Sequence, residues 1–384
     1  MYRATPTLFD RLQGLLTFAS PKEDGAGGPS TPKPRVLVVG YGWGGKAFSD
    51  NIDRAKYDVH ILTAKPFFLN TPKMVESIVT WNNSLVRKKI SAPNVHFGTL
   101  TGVLPGQNKI EYTTSQSQWQ SSGFPKMLKP FNYDYLVLSV GSVPNTFGIP
   151  GADSCKFLKT FDNMALLRGE LEDARNDNSI VNIIGAGPTG VELALSLTGD
   201  GHRVRLIEAA SGILGGFSEE TKTLVEKELK AYKVDLKLNT KIVGFDKDFI
   251  LAEGGASKVI ERGIDIWTSG VKPSPALDGF TGGGRLNVDK FLKITGHENI
   301  YAIGDIVAGP GMGPPTAQNA NAQGIFLAKH FNEDFREEGG SYKYIEKGRI
   351  IHGAGAIYME YGGRTWSIPR GLGFLVDWIV GTDS

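Results

Sequence analysis

Apolar residues crowd into short runs separated by glycine turns and amphipathic stretches, and this alternation occurs twice along the chain. The all-apolar run Val36–Val39 predicts a strand, glycines follow it, and a helix is predicted from near Gly45. A second apolar run, Val59–Leu62, completes a strand–helix–strand unit of the kind that builds a parallel sheet. From Ile180 the pattern returns: Val181–Ile184 predicts a strand, GAGPTG a turn, Val191–Leu197 the start of a helix and Val204–Ile207 the next strand. Two such units predict two dinucleotide sites.

The flanks read differently. Residues 95–130 mix short, polar, alternating segments with Trp119 and a Lys- and Pro-rich stretch, which predicts an antiparallel insert. In the first twenty residues Leu8, Phe9, Leu12, Leu15 and Leu16 fall near one helical face, with Arg3, Arg11 and one acid, Asp10. That pattern fits an organelle presequence or an interfacial helix, or else a disordered or docked arm. Residues 21–34 carry too much Pro and Gly for helix or sheet and read as a linker. Beyond Ser341, the apolar pieces Ile350–Met359 and Leu372–Val380 are too short to span a bilayer; they predict a small sheet or helix over the core, or a membrane-facing edge.

Composition narrows the chemistry. A chain of 384 residues, 40% hydrophobic and 21% charged, is long enough for two nucleotide-binding domains with a short appendage. Its 49 glycines cluster after apolar runs, where tight strand-to-helix turns need a residue without a Cβ. Lys plus Arg is 42 against 40 Asp plus Glu, so a net charge of +2 gives no reason to expect nucleic acid. The single cysteine, Cys155, excludes a disulfide framework, a cysteine-rich metal site and a redox-active pair; no metal is expected. No run approaches roughly 18 consecutive apolar residues, so the body is expected to be soluble and any membrane contact peripheral.

The first fingerprint is Gly40, Gly42 and Gly45 in GYGWGG. In such a motif the first glycine permits the turn, the second lets a pyrophosphate approach the backbone, and the third lets helix and strand pack closely. The acidic residue that usually ends the second strand is replaced by Thr63, with Lys65 just beyond. The second fingerprint, Gly185, Gly187 and Gly190, is followed by Glu208 about 23 residues after Gly185. A carboxylate there accepts both ribose hydroxyls and repels a 2′-phosphate, which predicts NADH over NADPH. Arg203 and Arg205 nearby oppose that preference unless they are solvated. A third element, Tyr301–Asp305, is an apolar strand ending in Gly304 and Asp305, whose carboxylate and amide would reach a polyol chain of a flavin.

The order of first fingerprint, LSVG ending at Gly141, second fingerprint, IWTSG ending at Gly270, and AIGD ending at Asp305 resembles the two-dinucleotide-binding-domain flavoproteins. Within them, FFLNTP at 67–72, GAGPTGVE at 185–192 and PPTAQ at 314–318 look like the alternative, type II NADH dehydrogenases, over about residues 35–330. The fold class expected is therefore α/β, with two Rossmann-like domains. Residues 35–145 and 271–340 would form the FAD-binding domain, 146–270 the NADH-binding domain and 341–384 a C-terminal segment, after an arm and linker at 1–34.

The resemblance implies non-covalent FAD in the first domain and NADH in the second, with hydride passing to the flavin and two electrons then to a quinone. It implies that Asp305 meets the ribityl and pyrophosphate region, that Glu192 sits near the nicotinamide, and that Ala317, Gln318 and Gln323 approach from the acceptor side. Read from the residues alone, Glu192 is equally a first-turn carboxylate stabilising its helix dipole. The chain departs from the family where two consecutive glutamines are usual, having Ala322 before Gln323. The expected partners are a quinone, a membrane surface and a second copy of the chain as a homodimer. The expected location is peripheral, at the mitochondrial inner membrane, or else cytoplasmic. An NADH-binding redox sensor and a reductase of a soluble acceptor stand as the rival readings.

Overall fold

In a computed structural model of the chain, residues 32–114 and 128–372 are described. The N-terminal arm, Trp119 and most of the second C-terminal apolar piece lie outside these residues.

Two parallel sheets carry the two nucleotide motifs. The first runs, in spatial order, Ile300–Ala302, Tyr135–Leu138, Arg35–Val39, Asp58–Thr63, Val95–Leu104, Lys109–Thr114 and Leu128–Asn132. Its first five strands pair in parallel, and the last two extend it antiparallel, as the alternating polar segments predicted. The second sheet runs Lys156–Phe157, Ile264–Trp267, Ile180–Ile184, Arg203–Ile207 and Asp235–Lys237, parallel throughout. Central strands buried on both faces require continuous apolar runs, and Val36, Leu37 and Val38 are fully buried. The first helix begins at Trp43, two residues before the expected Gly45, because Gly42 already serves as its N-cap.

An antiparallel ribbon of Ser142–Pro144 with Val271–Pro273 carries the chain into the second unit and back again. Packing does not respect the simple division at these crossings. Met74, Val75, Ile78 and Val86, which fall in the first unit by sequence, pack into the apolar core of the second against Leu167, Val191 and Leu195. Buried Arg168 fastens this excursion by donating to the Ser77 hydroxyl at 2.7 Å and to Asn83 Oδ1 at 2.5 Å.

The first C-terminal apolar piece forms a three-stranded antiparallel sheet of Arg349–His352, Ala356–Tyr361 and Arg364–Pro369. It packs on the second unit through carboxylates that accept backbone N–H groups. Glu228 accepts from Gly355 at 2.6 Å, and Glu360 accepts from Ser218 at 2.8 Å. Among the described residues, no helix is long and apolar enough to cross a membrane, and no cluster of three or more His, Cys, Asp or Glu is placed to hold a metal.

Candidate active site

The two glycine turns are built alike from different sequences. Gly40 and Gly185 adopt φ of +104° and +108°, a region that side chains rarely enter, and their N–H groups donate to Leu62 and Ile207 on the neighbouring strands. A Cβ on Gly45 would lie 2.1 Å from the Gly40 carbonyl oxygen, and one on Gly190 would lie 1.9 Å from that of Gly185. The helix therefore presses onto its own turn in both units, and only glycine fits there. Hydroxyls complete each turn: Ser139 donates to the Gly40 carbonyl at 2.9 Å and Thr268 to the Gly185 carbonyl at 2.9 Å. Both precede by two the expected site glycines, Gly141 and Gly270, so the Ser of LSVG and the Thr of IWTSG carry this structural role.

The middle glycines behave oppositely. A Cβ on Gly42 or on Gly187 would meet nothing within 4 Å. Each is the N-cap of its helix, and neither helix, Trp43–Asn51 or Pro188–Gly199, has a side-chain cap or an acid in its first turn. Three other helices are capped by side chains, those of Thr160, Ser218 and Thr316. Uncapped first-turn N–H groups with open space before them are an arrangement able to accept an anion, and each unit has one such helix start.

A cleft of about 1400 Å³ is lined by Gly40 and Gly42 of the first turn and, from the second unit, by Pro188, Thr189 and Glu192 of the helix that follows the second turn; Gly45, Gly185, Gly187, Gly190 and Glu208 do not line it. The cleft exceeds the roughly 300–1,000 Å³ of a single small-molecule pocket. Thr63, Lys65, Gly141, Glu192, Gly270, Gly304, Asp305, Ala317 and Gln318 all line it. The Thr63 hydroxyl accepts the Lys65 N–H at 3.4 Å, while the Lys65 ammonium pairs with Asp162 of the second unit. Asp305 accepts from the Ser142 hydroxyl and lies 3.7 Å from the Lys159 ammonium. Glu208 accepts the N–H of Ala186 at 2.7 Å and of Ala210 at 2.8 Å, which ties the strand end to the second glycine turn.

The arginines that opposed an NADH preference are placed away from this carboxylate. Arg205 pairs with Asp235 at 2.8 Å and donates to Asn182, and Arg203 starts the strand that Glu208 follows, about 16 Å back at 3.3 Å per residue.

Two expectations are corrected. Gln323 does not face the cleft: it is fully buried, its Oε1 accepts the Gly304 N–H at 2.6 Å, and its Nε2 donates to the Met312 carbonyl at 3.1 Å. Helical phase carries the cleft-facing residues Gln318, Asn321, Ala322 and Ile325 to one side and Gln323 to the other. Glu192 is not in the first turn of its helix, which contains no acid. Its Oε1 instead accepts the His352 N–H of the C-terminal sheet at 2.9 Å, and burial pushes its carboxyl up to about 7. The C-terminal sheet, a contributor to the cleft that the sequence did not announce, thereby forms part of its wall through Ile350 and His352.

Cys155 is buried, and that burial pushes its thiol up to about 12.

The sequence pattern named pyridine nucleotide-disulphide oxidoreductase matches residues 34–324. An external alternative NAD(P)H-ubiquinone oxidoreductase of Arabidopsis thaliana mitochondria is 28% identical over 320 residues, covering 72% of this chain and 54% of that protein. The external alternative NADH-ubiquinone oxidoreductase of Yarrowia lipolytica mitochondria is 28% identical over 357 residues, covering 79% and 60%. The chain thus spans little more than half the length of these relatives. Among solved structures, NDH2 from Plasmodium falciparum in complex with NADH superimposes with a TM-score of 0.81 at 19% identity, covering 91% of this chain and 94% of that one, a likeness of fold.

Proposed function

This chain belongs to the pyridine nucleotide-disulphide oxidoreductase family, and from that premise we propose that it is an alternative NADH dehydrogenase, an NADH:quinone oxidoreductase using non-covalent FAD. The observation that carries the reading is the pair of uncapped glycine turns with open space at Gly42 and Gly187, whose helices both border one cleft, the first at Trp43 and Gly44 and the second at Pro188, Thr189 and Glu192. The names of the Arabidopsis and Yarrowia relatives support a quinone as acceptor. Disulfide chemistry has no support, because the sequence has one cysteine and burial pushes its thiol up to about 12.

In this reading Gly40, Gly42 and Gly45, with Gly141, Gly304 and Asp305, hold FAD in the unit formed by 35–145 and 271–340. Thr63 and Lys65 flank its adenosine end, and Ala317 approaches its ring. Gly185, Gly187 and Gly190 hold the NADH pyrophosphate in the unit 146–270, Glu208 accepts its ribose hydroxyls, and Glu192 and Gly270 border the nicotinamide end. When bound, FAD supplies the two-electron relay between NADH and the quinone.

The residues contribute alignment and exclusion. The uncapped helix starts after Gly42 and Gly187 would hold the two pyrophosphates through their free backbone N–H groups, and the cofactors so held would supply the hydride and electron transfer. Glu192 and the His352 strand close one wall of the cleft, and the apolar surfaces of Ile303, Ile350 and Ile357 keep water out. Gln318 and Asn321 are the amides available to a quinone carbonyl, Gln323 being spent internally. The location proposed is the face of a mitochondrial membrane, and a homodimer is the proposed assembly.

The test is a stopped-flow trace. NADH is expected to bleach the flavin absorbance and a short-chain quinone to restore it. Bleaching without recovery would turn the reading towards a redox sensor, and purified chain that accepts no flavin would end it.

A further inference from the structure

One ion pair in the cleft joins the two nucleotide units at the carboxylate assigned above to the flavin. Asp305 belongs to the first unit, following the strand Ile300–Ala302. Lys159 belongs to the second and lies one residue before the N-cap of the helix Phe161–Asp177. Ser142, between them, opens the ribbon through which the chain crosses from one unit to the other. The Lys159 ammonium donates to the Ser142 hydroxyl at 2.9 Å and stands 3.7 Å from Asp305 Oδ2, to which the Ser142 hydroxyl donates in turn. All three residues line the cleft.

The arrangement leaves the carboxylate half used. Oδ2 carries both contacts, while Oδ1 accepts no hydrogen bond among the described residues. A carboxylate facing a diphosphate-containing ligand has a second problem, since like charges repel strongly where water is scarce. An ammonium beside Oδ2 relieves that repulsion and fixes the rotamer, which leaves Oδ1 to accept from a hydroxyl donor.

The geometry points to Lys159 as a positioning residue through which the nicotinamide unit governs flavin retention: it neutralises and orients Asp305 and so couples FAD binding to the docking of the two units. This inference rests on the flavin reading proposed above. It adds that the flavin site is incomplete without a side chain from the other unit. Linkage then requires the reverse effect, so bound flavin holds the Lys159 segment in place.

The experiment titrates FAD into apoprotein and follows quenching of flavin fluorescence, for wild type, K159M, K159Q and K159R. Loss of one charge-assisted contact predicts a rise in the Kd for FAD on the order of tenfold for K159M and K159Q, with K159R restoring most of it. In an Asp305→Asn background, where no charge is left to neutralise, K159M is expected to change the Kd less than about twofold. Hydrogen exchange supplies the second measurement: FAD should slow exchange of the amides in residues 156–163 in wild type and not in K159M. Wild type that binds FAD while K159M and K159Q bind it equally well overturns this inference and leaves the flavin reading standing. K159R as weak as K159M overturns it too, since packing and not charge would then be at work. Wild-type apoprotein that takes up no FAD brings down both.

Discussion

The side-chain oxygen of Gln323 accepts the backbone N–H of Gly304 at 2.6 Å, so a helix residue holds the turn that presents Asp305. Gln323→Ala would leave that part-buried N–H without its partner, while the Met312 carbonyl keeps the Asn319 side-chain amide at 2.8 Å. The expected cost is about 1–3 kcal/mol in denaturant unfolding. A variant with unchanged stability and a raised KM for quinone alone would restore Gln323 to the acceptor site.

The glycines of each cradle should separate by position. Gly45→Ala and Gly190→Ala force a Cβ to within 2.1 and 1.9 Å of a carbonyl oxygen and are expected to lower the melting temperature sharply or block folding. Gly42→Ala and Gly187→Ala meet no protein atom and should melt near wild type, while weakening FAD and NADH binding respectively. Equal melting losses at all four positions would remove the argument that the middle glycines leave space for a ligand.

Glu208→Ala tests the assignment of the two units. The KM for NADH should rise on the order of tenfold with flavin content unchanged. Loss of flavin in this variant would mean that the two cofactors are exchanged.

Glu192 gives a pH dependence of definite sign. Burial raises its carboxyl to about 7, so the folded chain binds more protons than the unfolded one between the ordinary carboxylate range and that value. Stability from this group is therefore complete at low pH and is lost as pH rises through about 7. Glu192→Gln removes the titration, and its melting temperature relative to wild type should climb between pH 5 and pH 8. A constant difference across that interval would show that the carboxyl titrates normally.

Cys155 should be inert. Buried and with its thiol at about 12, it is expected to resist maleimide in the native chain and react on unfolding, and Cys155→Ala should keep its NADH-dependent turnover. Loss of turnover in a folded Cys155→Ala protein would reopen thiol chemistry.

Much of the scaffold was legible because it is local. The runs Val36–Val39 and Val181–Ile184, each followed by glycines at fixed spacing, imply strand, turn and helix whatever else surrounds them, and the structure has strands at Arg35–Val39 and Ile180–Ile184. Gln323 was misread because helical phase decides its direction, and a motif names a residue without saying which side of the helix it takes. The Glu192 contact was out of reach for another reason, since its partner is 160 residues away in a sheet whose docking no local pattern encodes.

The order of residues alone determined that there are two glycine turns, each able to tighten between a strand and a helix, because steric exclusion of a Cβ acts within a few residues. Only the tertiary structure decided that the helices after both turns border one cleft, that Met74 and Val75 of the first unit complete the core of the second, and that Lys159 meets Asp305. Those outcomes depend on chain crossings and apolar burial summed over the whole molecule, which no short stretch of sequence contains.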